Sequence, residues 1–431
     1  MAQKSDSIVL DNIDNRENKC EKKKGDNMAG KNVLVAQSGG PTAVINASLA
    51  GVIKAGLEDE TIGVIYGALY GVQGLLEEKL INLNEYFEGK PEKLERLKHT
   101  PAMFLKSCRF RLSTKEQYEK IKEILLKNEI GYMFYIGGND SMDTVQQLSE
   151  YFKETGTDIK VIGIPKTIDN DLAMIDHTPG FGSAAKFIAT SIREMRYDLE
   201  VYDMESLLFV EIMGRNAGWL TAAAVLAGTH KKKCPDLIYL PEIAFDEQKM
   251  LKDIKEILKE KKQVIIAVSE GIKDESGICV SEDRSVLDSF GHGKLRGVGQ
   301  HLASLAEKEL GCKTRSVELN VLQRSAASRA SATDVEEAEL LGMQGVRLAR
   351  EGKSGELAIL KRTANRPYQV EYLGAAIEEI ANVEKVIPSE WINKEENYVM
   401  EEMVEYLRPL IQGEVQIEQR DGMPEYLEYE D

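Results

Sequence analysis

The chain has 431 residues, 42% of them hydrophobic, with 11 prolines and 72 acidic against 55 basic side chains, a net charge of -17. That length suits two domains of ordinary size, while the charge repels nucleic acid and anionic membranes, so any phosphate must be held in a local basic pocket. Five scattered cysteines without CxxC spacing suggest neither a disulfide framework nor a zinc site, no stretch is apolar enough to span a membrane, and the polar start is no signal peptide, so a cytoplasmic protein is expected.

Residues 1 to 30 are polar and charge-mixed and read as a disordered arm. Asn32 to Ala36 reads as a buried strand, Gln37 to Thr42 as a glycine loop, and the chain from Val44 as a helix with Ile45, Leu49, Val52 and Ile53 on one face. Strand, Gly-Gly loop and helix outline a phosphate cradle, because Gly39 and Gly40 let backbone N–H groups approach an anion at a helix N-terminus. Taken alone, such a loop is more often a tight turn. Gly63 to Gly67 is a second strand, and Lys106 and Arg109 lie in a basic segment that, without context, reads as a solvated turn.

A helix over Lys115 to Lys127 precedes a strand at Tyr132 to Ile136, after which Ser141 is expected to cap a helix carrying Met142, Val145, Leu148 and Phe152. Lys160 to Pro165 is the next strand, followed by an acidic loop and a helix through Phe187, Ile188, Ile192 and Met195. Gly180 to Ala185 imitates a dinucleotide fingerprint, but no strand leads into it. Leu207 to Met213 is a strand ending in Gly214-Arg215, and Asn216 to Leu226 reads as an apolar helix. Further strands at Leu237 to Leu240, Val264 to Val268, Ser316 to Leu322 and Leu357 to Leu360 alternate with helices near 246 to 261, 297 to 310, 333 to 350 and 370 to 382. A helix from about Glu395 to Arg408 closes the fold, and an acidic tail follows Gly413. Alternation of this kind predicts an α/β protein with two largely parallel sheets.

Two strand ends stand out. Ile136-Gly-Gly-Asn-Asp-Ser141 and Ile162-Gly-Ile-Pro-Lys-Thr-Ile-Asp-Asn-Asp171 both stop in small and acidic residues. Ligands of open α/β sheets sit beyond the carboxyl ends of strands, so Asp140, Asp169 and Asp171 are expected to meet there beside Lys166. Carboxylates next to a lysine suit Mg²⁺, phosphate oxygens and a hydroxyl to be deprotonated, which points to phosphoryl transfer. His177 is close enough to the acidic loop to contact substrate, whereas the other histidines read as surface or packing residues. Gly291 to Gly297 carries two cations near a helix start, but a plain helix start is the favoured reading.

In order along roughly residues 31 to 365, Ser38-Gly-Gly40, Ser107-Cys-Arg109, Gly137-Gly-Asn-Asp-Ser141, Pro165 to Asp171, Met213-Gly-Arg215, Pro241-Glu242 and Gln323-Arg324 resemble the signatures of the phosphofructokinase family. The resemblance implies two Rossmann-like domains: 31 to 175 with about 325 to 412 for the phosphoryl donor, and 176 to 324 for the sugar phosphate. It implies that Asp169 is the general base toward the sugar 1-hydroxyl, that Asp171 orients the site, and that Thr167 hydrogen-bonds the sugar or the transferring group. Gly39 and Gly40 would meet the donor phosphates with Arg109. Met213, Gly214, Arg215 and Glu242 match sugar-binding positions, and Arg324 and Arg315 match holders of the 6-phosphate. One such arginine in the family comes from a neighbouring subunit, so a dimeric or tetrameric homo-oligomer is implied.

Within the family, ATP-using members carry Gly where Asp140 and Lys166 stand, and pyrophosphate-using members carry Asp and Lys. A carboxylate at Asp140 would repel the α-phosphate of ATP, and Lys166 would neutralise the leaving phosphate of pyrophosphate. The expected reaction is therefore Mg²⁺-dependent phosphoryl transfer from pyrophosphate to fructose 6-phosphate. The alternatives are an ATP-dependent enzyme, a non-catalytic regulatory paralogue, and a plain Asp140–Lys166 ion pair without donor selection. This chain departs from the family at Asn139, where many members have a metal-binding Asp, leaving Asp140 as the alternative carrier of Mg²⁺. It departs again at Ser206 and Val321, where ATP-dependent bacterial members place Arg and His.

Overall fold

The computed structural model describes residues 30 to 280, 297 to 381 and 383 to 429, together with the backbone of two strands at 282 to 287 and 293 to 295. The N-terminal arm and the Gly291 to Gly297 block lie, apart from Gly30, Gly297 and that strand backbone, outside the described residues.

Two sheets organise the chain. The first contains strands β1 (Lys31–Gln37), β2 (Ile62–Ala68), β3 (Leu80–Asn82), β4 (Ile130–Gly137) and β5 (Lys160–Pro165). The second contains β6 (Ser206–Ile212), β7 (Leu237–Tyr239) and β8 (Gln263–Ser269). After a small antiparallel pair, β9 (Glu282–Leu287) with β10 (Gly293–Leu295), β11 (Lys313–Glu318) joins the second sheet, and β12 (Glu356–Asn365) and β13 (Tyr368–Ala376) return to the first.

The first sheet runs β13-β12-β5-β4-β1-β2-β3 and the second β11-β6-β8-β7. All pairs of the second sheet are parallel. In the first, only the outer pairs β12–β13 and β2–β3 are antiparallel. Continuous apolar strands such as Ile130–Gly137, buried at every position, are what helix-covered parallel sheets require. The core of the first sheet gathers Leu34, Ile53, Phe134 and Ile162, and that of the second Val210, Phe181, Trp219 and Ala267.

Several sequence expectations are corrected. Where a helix is expected over 370 to 382, β13 runs on to Ala376 and a short 3-10 turn, Ile377–Glu379, follows it. The alternation Tyr368-Gln-Val-Glu-Tyr372 turns Val370 and Tyr372 onto the core of the first sheet, and cross-strand pairing outweighs the helix-forming run that follows. The strand expected at Ser316 to Leu322 begins earlier, at Lys313, and Leu322 opens a one-turn helix, Leu322–Ser325. The apolar segment from Asn216 is helical only from Trp219–Ala223 and then tightens to a 3-10 turn. The closing helix is Glu401–Leu407.

The end of the chain is packed rather than a tail. Gln419–Arg420 pairs with Met423–Pro424, Leu427 N–H donates to Thr100 Oγ1 at 2.9 Å, and the Tyr429 ring lies 5.8 Å from that of Phe104. Leu427 and Tyr429 supply apolar surface that the acidic composition of this stretch hides.

Candidate active site

β1, β4 and β5 lie side by side and parallel, so their carboxyl ends open on one edge of the sheet. After β1 the chain turns through Gly39 at φ +81°. A Cβ on Gly39 would lie 3.2 Å from Lys166 Nζ, and one on Gly40 would lie 3.2 Å from a terminal guanidinium nitrogen of Arg324. The glycines thus let backbone pass directly beneath two cations. Lys166, almost fully buried, donates from Nζ to the Gly40 carbonyl at 2.7 Å.

After β4 the helix Asn139–Glu154 begins with Gly138 at its cap position. Ser141, expected as the cap, lies inside the first turn, where its Oγ shares a 2.5 Å hydrogen bond with Ser38 Oγ. That bond ties the glycine loop to the helix. Asp140 stands exposed in the first turn, at the helix end that favours anions.

After β5 the loop folds on itself. Asp169 N–H donates to Thr167 Oγ1 at 3.1 Å, and Thr178 Oγ1 donates to the Thr167 carbonyl at 2.8 Å. Asn170, at φ +57°, reverses the chain between the two acids. Across the cleft, Gly214 N–H donates to Glu270 Oε1 at 3.2 Å and Ser269 Oγ to the Gly214 carbonyl at 2.6 Å, pinning the end of β6 to the end of β8.

These strand ends enclose a cleft of about 390 Å³. Gly39, Gly40, Asn139, Asp140, Lys166, Thr167, Asp169, Asp171, Met213, Arg215 and Arg324 all line it. An adjoining cleft of about 420 Å³ shares Gly39, Gly40, Asp140, Asp169 and Arg215 and adds Arg109 and Arg111. The site is therefore a two-lobed trough with Asp169 and Arg215 at the junction.

The electrostatics separate the roles. Burial, reinforced by Asp171 and then Glu270, pushes the Asp169 carboxyl up to about 7 against the pull of Lys166 and Arg324. Burial likewise lowers the Lys166 ammonium to about 8, opposed by Asp169 and Asp171 and helped by Arg324. The Asp171 carboxyl is also raised, chiefly by burial, and its Oδ1 has no hydrogen-bond partner. Arg324 is held below its ordinary value by burial and then by the nearby charge of Arg109. Two cations crowded together in this way await an anion. A carboxyl near neutrality beside a buried ammonium can take a proton from a hydroxyl while the ammonium faces developing phosphate charge.

Some assigned residues lie elsewhere. Glu242 Oε1 accepts from the backbone N–H groups of Gly218 at 2.8 Å and Ile387 at 3.3 Å, so it braces two chain segments and does not line the trough. Arg315, on edge strand β11, meets Asp198 at 3.6 Å and lines a small separate pocket with Tyr202 and Met204. His177 is sealed between Asp176 at 2.8 Å and Glu337 at 2.6 Å, where no substrate reaches it. Asp140 and Lys166 form no ion pair, the lysine being committed to Gly40. Glu270 was missed. It follows β8 directly and lines the cleft, and the strand-end rule that picked out Asp169 would have found it had the close of Val264 to Val268 been read in the same way.

Comparisons agree with this geometry. Residues 32–349 match the Phosphofructokinase domain family. A pyrophosphate--fructose 6-phosphate 1-phosphotransferase of Methylococcus capsulatus is 39% identical over 407 residues, 93% of this chain and 96% of that protein. The crystal structure of a pyrophosphate-dependent phosphofructokinase from Nitrosospira multiformis superposes with a TM-score of 0.84 at 37% identity, covering 92% of this chain and 96% of the other. One from Marinobacter aquaeolei gives 0.83 at 36% identity, covering 92% and 95%. With a family match across most of its length and relatives sharing more than a third of its residues, the chain belongs to the phosphofructokinase family.

Proposed function

We propose that this enzyme transfers a phosphoryl group reversibly from pyrophosphate to the 1-hydroxyl of fructose 6-phosphate, giving fructose 1,6-bisphosphate and phosphate, with Mg²⁺. The observation that carries the reading is the pairing in one trough of Asp169, poised near neutrality, with Lys166 fixed over the glycine loop. The names of the relatives support the same substrates.

In this reading Asp169 takes the proton of the 1-hydroxyl as that oxygen attacks the donor phosphorus, and the bond to the leaving phosphate breaks. Lys166 faces the charge that collects on the leaving phosphate, and Arg215 at the junction faces the transferring group. Thr167 and Asp171 hold the loop and its charge in place. Arg324 holds the sugar's phosphate end, with Met213, Gly214 and Glu270 along the sugar side. Gly39, Gly40 and Arg109 receive pyrophosphate, and Asp140 turns away a nucleotide's additional phosphate. Reversibility follows from the modest phosphoryl-donor potential of pyrophosphate.

The residues fit Mg²⁺. Mg²⁺ is commonly bound through one or two side chains, with waters and substrate oxygens completing its shell; among the described residues no cluster of three or more acidic, His or Cys ligands is present. Asn139 Oδ1 is buried without a partner beside the carboxylate of Asp140, and these two would hold the ion. When bound, it neutralises donor oxygens.

A homo-oligomer, dimer or tetramer, is part of the proposal, since Arg315 faces away from its own trough beside the exposed side chains of Tyr202 and Met204. So is a cytoplasmic location; among the described residues no helix is long and apolar enough to cross a membrane. The test is fructose 1,6-bisphosphate formation from fructose 6-phosphate and Mg²⁺, with pyrophosphate or ATP as donor. Turnover with pyrophosphate alone is expected, and turnover with ATP alone would overturn the donor assignment.

A further inference from the structure

Behind the acidic loop lies a polar network, closed off from the trough, to which the reaction as described assigns nothing. Asn170, between Asp169 and Asp171, is fully buried, and its Oδ1 accepts from Thr178 N–H at 3.1 Å. Its Nδ2 donates to the hydroxyl of Tyr406 at 2.9 Å, and that hydroxyl donates in turn to the Asp176 carbonyl at 2.7 Å. Tyr406 sits on the helix Glu401–Leu407, more than two hundred residues along the chain. A second tie comes from the same C-terminal segment. Lys385 N–H donates to the Asp171 carbonyl at 2.8 Å, Glu384 bridges Leu172, and Lys385 Nζ donates to the carbonyls of Ile175, at 3.1 Å, and Asp176. Trp219 Nε1 donates to the Lys385 carbonyl at 2.9 Å, anchoring this segment to the core under the second sheet.

We propose that Tyr406 is a positioning residue for the reaction: through Asn170 it holds the loop in the reversed conformation that presents Asp169 and Asp171 to the same cleft. The physical basis is the backbone of Asn170. A side-chain-bearing residue at φ +57° is held there against an unfavourable conformation, and the amide hydrogen bonds at both ends of its side chain are what hold it. Without the Tyr406 hydroxyl, the buried Asn170 Nδ2–H loses its partner, the Asp176 carbonyl keeps only Lys385 Nζ, and the loop relaxes to satisfy the amide. Relaxation at Asn170 moves the carboxyls on either side of it, while Arg109, Arg215 and Arg324 stand on other elements and Lys166, at the start of the loop, is held separately by the Gly40 carbonyl. A displaced base is felt in kcat rather than in binding.

This inference rests on Asp169 being the base, and the experiment separates the two. Tyr406→Phe, Asn170→Ser and Asp169→Ser are prepared in the full chain and assayed as folded protein with pyrophosphate, fructose 6-phosphate and Mg²⁺. Tyr406→Phe is expected to lose about 10- to 100-fold in kcat, with KM for both substrates within about twofold. Asn170→Ser, which keeps the tyrosine but removes its donor and the acceptor of Thr178 N–H, is expected to lose at least as much, and the double variant no more than Asn170→Ser, because the bond between the two side chains is already gone. A purely structural tyrosine would lower the melting temperature and leave kcat of the folded enzyme alone, and that result in both single variants overturns the inference. If Tyr406→Phe does not fold, Asn170→Ser alone decides by the same criterion. Retained turnover in Asp169→Ser overturns the base and this inference with it, whereas an inactive Asp169→Ser beside a fully active Tyr406→Phe overturns the inference alone.

Discussion

Lys166 Nζ reaches 2.7 Å to the Gly40 carbonyl, so the cation at the end of β5 is held by the loop that follows β1. The ammonium keeps further protons for a ligand while its position is set by backbone. Replacing Lys166 with Met should lower kcat with pyrophosphate by about 100-fold or more, the scale of losing one preorganised donor in a closed site. Steady-state kinetics at saturating sugar phosphate measures it. Asp140→Gly should in addition admit ATP, read as ATP-dependent fructose 1,6-bisphosphate formation that the parent lacks.

The acid limb of the rate should come from Asp169. Its carboxyl, raised to about 7, must be ionised to accept a proton, so the rate rises with pH through that region. Lys166, lowered to about 8, loses its charge above that pH and the rate falls again. A narrow bell in kcat/KM between these limits is expected. Asp169→Asn should abolish turnover and raise the melting temperature at pH 8, because a carboxyl whose folded value is raised opposes folding once the solution is alkaline enough to ionise it.

The parts of the fold that were legible share a cause. Asp140, Lys166, Asp169 and Arg215 follow apolar strands directly, and the geometry of parallel sheets sends strand ends to one place. Local pattern misjudged β13 because Ala375 to Ala381 favours helix, and only the neighbouring strand decides the matter. Tyr406, Lys385 and the partner of His177 were illegible because each acts across 160 or more residues, a distance that no spacing rule spans. Arg315 was matched to the 6-phosphate by family resemblance, without a motif of its own, and one copy of the chain leaves it outside the trough.

His177 offers a stability test independent of catalysis. Held by Glu337 and Asp176 against the cost of burial, its imidazolium is raised from 6.5 to about 9. Its contribution is complete below pH 6.5 and is lost as pH climbs through 9. Thermal unfolding should therefore show melting temperature falling over that window, and His177→Ala should flatten the fall. The substitution should cost about 3–5 kcal/mol near neutral pH, since it strands a buried carboxylate.

Arg315 allows a test of assembly. If it serves a neighbouring copy's trough, Arg315→Ala and Asp169→Ser are each inactive alone. Co-expressed, they should regain activity, because a mixed assembly contains troughs with an intact base and an intact incoming arginine. Recovery absent from co-purified mixed oligomers would place Arg315 in no shared site.

The return of the chain to the first sheet governs how the protein is made. β5 waits for β12 as its neighbour, and β12 emerges from the ribosome only after every strand of the second sheet. During synthesis β5 is thus an open edge, able to pair with the wrong partner, while the inserted four-stranded sheet is already complete. Slowing translation after Glu318 should prolong that exposure, and a chaperone that shields strand edges should matter most in that interval.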